Sequence, residues 1–224
     1  MKGIYLTSVT VVAAFALPAL VAVLSYLLGC INGAIATSHI FYHDDVRRHG
    51  SGNAGLTNFY RNYGAKCAPM VIAFDMLKAV GAVLLGNYFL GYLLGWGAAG
   101  KYFGALFCVI GHMFPVFYGF KGGKGVLVGA GAALATEPLV CAVLLVVFLI
   151  EVAITHIVSL GSIIIAALYP VGTLINLIAH GAGVPTVVFS TICCCLMAAM
   201  VIWLHRSNIE RLRNGTEYRF GQKK

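Results

Sequence analysis

Seven long apolar runs, at about 9–40, 68–88, 95–117, 123–136, 138–155, 158–179 and 184–204, take up most of this chain. A membrane span needs about 20 mostly apolar residues, so seven of them leave little of 224 residues for anything else. Only 22 side chains are charged, 15 basic and 7 acidic, or 10% of the chain. An average soluble domain carries about 25%, and 22 charges cannot cover a soluble globule of this size. That excludes a soluble enzyme, a disordered chain and a disulfide scaffold. Residues 1–25 imitate a signal peptide, with Lys2 ahead of an apolar run, but the run is too long for a signal core and no polar mature domain follows. It is read as a span. The expected fold is all-α: a polytopic membrane protein of seven transmembrane helices, with residues 1–224 forming a single integral membrane domain.

Charge sets the orientation, because cytoplasmic loops collect Lys and Arg. With a cytoplasmic C-terminus, twelve of the fifteen basic residues lie inside: Arg47, Arg48, Arg61, Lys66, Lys121, Lys124, Arg206, Arg211, Arg213, Arg219, Lys223 and Lys224. Lys2 and Lys101 lie outside, and Lys78 lies within a span. This predicts an outside N-terminus and inside loops 41–67, 117–124 and 155–158. The seven cysteines fall mostly within apolar runs with no CxxC pair, which reads as membrane packing and not as a zinc site. No metal, cofactor or nucleic-acid partner is expected.

The unusual polar residues gather on the inner face. The first loop contains Gly50, Ser51, Gly52, Asn53, Gly55, Thr57, Asn58 and Arg61. Its GxGxxG spacing is not a dinucleotide fingerprint, because the preceding residues Asp44–His49 are polar and not a hydrophobic strand. Two interpretations stand: a turn bringing N–H groups and short donors to an anion, or a flexible loop that only sets topology. In the second loop Gly122, Gly123, Lys124 and Gly125 precede the fourth span. Glycines and a lysine at a helix N-terminus form an anion cradle, the alternative being a short turn with two topology lysines. It is not a Walker A motif, since Gly125 replaces the magnesium-binding hydroxyl. His112 on its own suits a satisfied interior histidine.

In the tail, His205, Asn208 and Arg211 are spaced three apart and share a helix face that ends near Gly215. That stripe suits an anionic ligand, but taken alone a basic collar after a last span explains it as well. Asp75 and Lys78 sit inside a span at i, i+3 spacing, which favours a structural ion pair over a catalytic one. Thr155, His156, Ser159 and Ser162 cluster at an inner helix mouth, where they either bond between helices or reach the same pocket. An enzyme acting on phosphorylated substrates at the inner face accounts for these clusters best. A transporter or channel for a small phosphorylated anion is the alternative, but it calls for ionisable or broken-helix features near mid-bilayer and often for repeated halves.

Three of these segments resemble, in order, the motifs of the bacterial acyl-phosphate:glycerol-3-phosphate acyltransferase family. GSGNAGLTNFYR at 50–61 is similar to the family's GSGNxGATNxxR. GHMFPVFYGFKGGKGV at 111–126 is similar to GHxFPVFxxFKGGKGVAT, and HRSNIERLRNGTE at 205–217 to HxxNIxRLxxGxE. The chain departs at Leu56, at Leu127-Val128, at Gly29-Cys30-Ile31-Asn32 in place of GSIP, and at His156 in place of arginine.

The resemblance implies transfer of a fatty acyl group from acyl phosphate to the sn-1 hydroxyl of glycerol 3-phosphate, giving lysophosphatidic acid and phosphate. It implies that the backbone of Gly122 to Gly125 holds the donor's phosphoryl group. It also implies that Ser51, Arg61, Lys124, Ser159, His205 and Asn208 hold glycerol 3-phosphate, with Arg61, Lys124, His205 and Asn208 as the catalytic set. Substrate-binding duty extends to Gly52, Asn53, Thr57 and Asn58. The expected setting is the bacterial cytoplasmic (inner) membrane with the active site facing the cytoplasm, and the expected partner is the enzyme that produces acyl phosphate. The hydroxyl's proton goes either to a substrate phosphate oxygen or to His205 as general base.

Overall fold

A computed structural model describes residues 2–221, with side chains described from Val11 onward. The described residues are helical or irregular, without strands. The helices are α1 (Lys2–Cys30), α2 (Gly33–Tyr42), α3 (Leu56–Tyr63), α4 (Ala68–Gly86), α5 (Ala99–Met113), α6 (Val126–Thr136), α7 (Pro138–Thr155), α8 (Val158–Ala179), α9 (Val184–Leu204) and α10 (Arg206–Arg213). Six segments are long and apolar enough to cross a membrane: Val11–Tyr42, Ala68–Leu93, Ala99–Tyr118, Pro138–Thr155, Val158–Ala179 and Val184–Leu204. The run expected at 123–136 yields only α6, whose 11 residues reach about 16 Å at about 1.5 Å per residue. Gly125 adopts a left-handed conformation, φ +82°, and starts α6 after Lys124, so the lysine stays in the loop. Pro138 takes the first turn of α7, where its missing N–H leaves no bond unmade.

Helices α4 and α5 form the centre, with α1 against both, α6 wedged beside them, and α9 joining α5 to the α7–α8 hairpin. Lipid supplies no hydrophobic drive between helices, so close backbone approach matters more. Gly29 and Gly111 provide it between α1 and α5. A Cβ on Gly29 would lie 2.2 Å from Cys108 O, and one on Gly111 would lie 2.1 Å from Tyr26 O. The large exposed side chains, such as Leu145, Ile154 and Ile175, belong to the apolar belt of these helices.

The first apolar run is broken, not continuous. Asn32 caps α2: its Oδ1 accepts from Ile35 N at 3.0 Å, and its Nδ2 donates to Ala54 O at 3.0 Å. The break exposes the negative end of one helix to the positive end of the next, and α4 supplies one charge for each. Lys78 Nζ donates to Gly29 O at 3.1 Å and to Ile31 O at 2.5 Å. Asp75 Oδ1 accepts from Gly33 N at 3.0 Å and lies 2.8 Å from Lys78 Nζ. The fourth partner of Lys78 is His112 Nδ1, at 3.0 Å. All three side chains are buried. Asp75 and Lys78 thus form the expected ion pair, and His112 is bonded to it through Nδ1, while Asp75 and His112 also border the cavity described below.

Removing one member of a buried pair costs about 3–5 kcal/mol, because the other charge is left uncompensated. Lys78→Met is expected to lower the thermal unfolding temperature in detergent sharply, and the double variant Asp75→Asn/Lys78→Met to recover part of the loss. Equal losses in the two would show that charge compensation at the break is not what stabilises it.

Candidate active site

The first loop is held in shape by Asn58, at the start of α3. Its Oδ1 accepts from Ser51 N at 3.0 Å, and its Nδ2 faces Val46 O, His49 O and Asn53 O at 3.0–3.1 Å. The amide is thereby committed to the loop's own backbone, although Asn58 borders the cavity described below. Gly52 makes the turn, with φ +69° and its N–H on His49 O at 3.0 Å. On the next turn of α3, the Arg61 guanidinium lies 3.7 Å from the centre of the Tyr218 ring. Arg47 ties this loop to the second one by donating to Tyr118 O at 3.0 Å while paired with Asp45.

The second loop packs its glycines against the end of α5. Gly122 N donates to Met113 O and Gly123 N to His112 O, each at 3.2 Å. A Cβ on Gly122 would lie 2.0 Å from His112 O, and one on Gly123 would lie 2.2 Å from His112 Nε2. These two N–H groups are therefore engaged with carbonyls, and neither glycine borders the cavity. Lys124 and Gly125 do border it. They stand at the N-terminus of α6, where no side chain caps the first-turn N–H groups. The part of the cradle that meets the cavity is thus one lysine and one helix end.

The tail supplies the organising carboxylate. Glu217 Oε1 accepts from Asn208 Nδ2 at 2.6 Å and from Ser159 Oγ at 2.8 Å, and its Oε2 accepts from Arg211 Nε at 2.6 Å. Asn208 Oδ1 in turn accepts from Lys124 Nζ. α10 stops where expected, with Gly215 in the left-handed region at φ +67°. The chain then turns back, and Phe220 N donates to His156 O at 2.7 Å. His156 itself ends α7 at φ +60°.

Burial dominates the electrostatics here. It pushes the Lys124 ammonium down to about 8, helped by Arg211 and opposed by Glu217. Burial alone would raise the Glu217 carboxyl, but the hydrogen bonds from Asn208, Ser159 and Arg211 outweigh it and hold the group below the ordinary glutamate value. Burial also pushes the His205 imidazole down to about 4. His205 Nδ1 lies 2.7 Å from Val201 O, a carbonyl that can only accept. Nδ1 therefore carries the proton, and Nε2 keeps a lone pair.

Ser51, Asn53, Thr57, Asn58, Arg61, Lys124, Gly125, Ser159, His205 and Asn208 all border one cavity of about 460 Å³. Gly52, Gly122 and Gly123 do not, and serve as turn and close-packing residues. At the polar mouth Lys124, Arg61 and Arg211 stand around the carboxylate of Glu217, an excess of two positive charges, while His205 is neutral and Asp75, which also borders the cavity, is balanced by Lys78. Behind the mouth the lining turns apolar between α6, α7, α8 and α9. Glu217 and Tyr218 were not among the expected site residues. Glu217 stands in the third motif, but its role is set by Ser159, 58 residues away.

The chain's residues 19–215 match a family model described as glycerol-3-phosphate acyltransferase. Among its relatives, a glycerol-3-phosphate acyltransferase of Clostridioides difficile (strain 630) is 40% identical over 206 residues, covering 92% of this chain and 96% of the relative. One from Thermoanaerobacter sp. (strain X514) is 39% identical over 204 residues, covering 91% and 96%. Among solved structures, the crystal structure of PlsY, an integral membrane glycerol 3-phosphate acyltransferase, is similar in its glycerol 3-phosphate form. The TM-score is 0.77 at 32% identity, covering 91% of this chain and 96% of that one. Its lysophosphatidic acid form gives a TM-score of 0.75. The motifs, the helical membrane fold and these matches agree: this chain belongs to the glycerol-3-phosphate acyltransferase family.

Proposed function

We propose that the chain, acting as one integral membrane domain, transfers a fatty acyl group from acyl phosphate to the sn-1 hydroxyl of glycerol 3-phosphate. The observation that carries this reading is the cavity itself. Its mouth has an excess of two positive charges and its lining between α6, α7, α8 and α9 is largely apolar, which suits a phosphate dianion beside a hydrocarbon chain. Lys124, Arg61 and the donors around them bind the acceptor's phosphate, and the free N–H groups at the start of α6 suit the phosphoryl group of the donor. His205 Nε2 cannot donate to phosphate in its neutral form, so it accepts from a glycerol hydroxyl and orients it.

In the reaction the sn-1 oxygen forms a bond to the acyl carbonyl carbon, and the bond from that carbon to the phosphate oxygen breaks. Lysophosphatidic acid and inorganic phosphate leave. The hydroxyl proton passes to a phosphate oxygen. An acyl phosphate is an activated mixed anhydride, so placement and charge stabilisation supply most of what is needed. A base works best with a pKa near the operating pH, and His205 at about 4 lies well below it.

Twelve basic residues assigned inside against two outside support a cytoplasmic site in the inner bacterial membrane. In that arrangement the N-terminus lies outside, and α6, too short to span alone, makes the seventh crossing together with the loop that leads into it from α5. The enzyme that produces acyl phosphate is the natural partner at that face.

Purified protein is expected to use acyl phosphate with labelled glycerol 3-phosphate, without added metal and without acyl-CoA as donor. Strong acyl-CoA use, or complete loss of activity with EDTA, overturns the assignment.

The pH dependence follows from Lys124. Below about 8 it is charged and binds phosphate, and as pH rises through that value it loses the proton. kcat/KM for glycerol 3-phosphate is therefore expected to fall above about pH 8, and Lys124→Arg to move that fall upward. A substrate phosphate titrating near about 6 accounts for any acid limb. An alkaline limb unmoved in Lys124→Arg belongs to another group.

His205→Gln is expected to keep kcat within about tenfold while KM for glycerol 3-phosphate rises, since an amide replaces one hydrogen bond. A kcat loss beyond about a thousandfold with unchanged KM makes His205 the general base.

A further inference from the structure

We propose that Tyr169, tied to Thr136, is the floor of the acyl chamber and sets the length of acyl chain the enzyme prefers. The inference rests on the cavity being the acyl site. On α8 the lining positions follow one helix face from Ser159 through Ser162, Ile165 and Ala166 to Tyr169. The next position on that face, Thr173, is fully buried and outside the lining. Helix α9 stops at the same level: Val201, Ala198 and Met197 line the cavity, whereas Cys194 does not. On α6 the lining ends at Ala133, three residues before Thr136. Three helices thus end the chamber at one depth. The rise from Ser159 to Tyr169, ten positions on, gives it about 15 Å along α8, at about 1.5 Å per residue.

That level is closed by a polar bridge. Tyr169 Oη lies 3.1 Å from Thr136 Oγ1, which also donates to Ala132 O at 2.9 Å. The ring is 7% exposed and cannot swing away without giving up the bond that joins α8 to α6. Beneath it lie several buried polar side chains. Thr173 and Ser190 are fully buried, and Glu137, 5% exposed, accepts from Asn176 Nδ2 at 3.2 Å. A methyl terminus driven past Tyr169 would have to part these packed side chains, breaking the Tyr169–Thr136 and Asn176–Glu137 bonds and bonding nothing in return, which is unfavourable. A chain that just reaches the ring gains apolar contact with every methylene.

The test is kcat/KM for acyl phosphates from octanoyl to eicosanoyl, on the full-length protein, with glycerol 3-phosphate saturating. Tyr169→Ala vacates the ring's volume and is expected to shift the optimum to longer chains, by about fourfold in kcat/KM for each methylene newly accommodated. Ala133→Leu raises the floor from the α6 side and is expected to shift the optimum to shorter chains, with KM for glycerol 3-phosphate unchanged. It decides the question alone if Tyr169→Ala does not fold. Profiles that superimpose on the wild type in active variants overturn the floor and send the chain sideways into lipid. A wild type inactive with every acyl phosphate overturns the donor assignment and this proposal together.

Discussion

The architecture depends on one charge pair set against a broken helix. α1 ends and α2 begins inside the apolar layer, where unsatisfied backbone groups cost several kcal/mol each. Lys78 takes two carbonyls on one side of the break, and Asp75 takes an N–H on the other. The pair is neutral overall, so α4 brings both charges into lipid together. His112 extends it: its Nδ1 meets Lys78, and its Nε2 edge lies where a side chain on Gly123 would have to sit. The helix break, the centre of the bundle and the glycine loop are therefore one mechanical unit, and Asn32 joins it to the first loop through Ala54 O.

The site built on that unit solves a charge problem at the membrane surface. Three cations around one cavity mouth repel one another, and Glu217 offsets part of that repulsion while fixing Asn208, Ser159 and Arg211 by hydrogen bonds. Without a carboxylate there, the low position of Lys124 would fall further, since Glu217 is the neighbour that raises it. The tail closes the arrangement, with Tyr218 over Arg61 and Phe220 against Tyr60.

Much of this was legible in the sequence. The apolar runs located the long helices, because burial in lipid needs only length and composition. The polar residues of three loops were expected on one face, and ten of the thirteen expected site residues border one cavity. The break at Asn32 was missed because a hydropathy pattern sees an apolar run and cannot tell a helix interior from an N-cap with buried partners. The packing of Gly122 and Gly123 was not legible for a related reason. A glycine-rich loop before a helix looks the same whether its N–H groups face a ligand or a neighbouring carbonyl, and only the packing against His112 decides. Glu217 stood in plain view, but a carboxylate among basic residues carries no sign of what it will hold until Ser159 and Asn208 meet it.

The division of work between His205 and its neighbours follows from the same burial. A histidine beside Lys124 in water would still titrate near neutrality, yet here burial, partly offset by the bond to Val201 O, leaves it neutral with a lone pair on Nε2. A fourth cation at that position would bind phosphate, and would compete with Lys124 and Arg61 for the same end of the acceptor. In the proposed reaction a neutral acceptor instead distinguishes the hydroxyl end from the phosphate end of glycerol 3-phosphate, and so selects which oxygen meets the acyl carbon. With an activated donor such as the proposed acyl phosphate, orientation of that kind is the contribution the protein most needs to make.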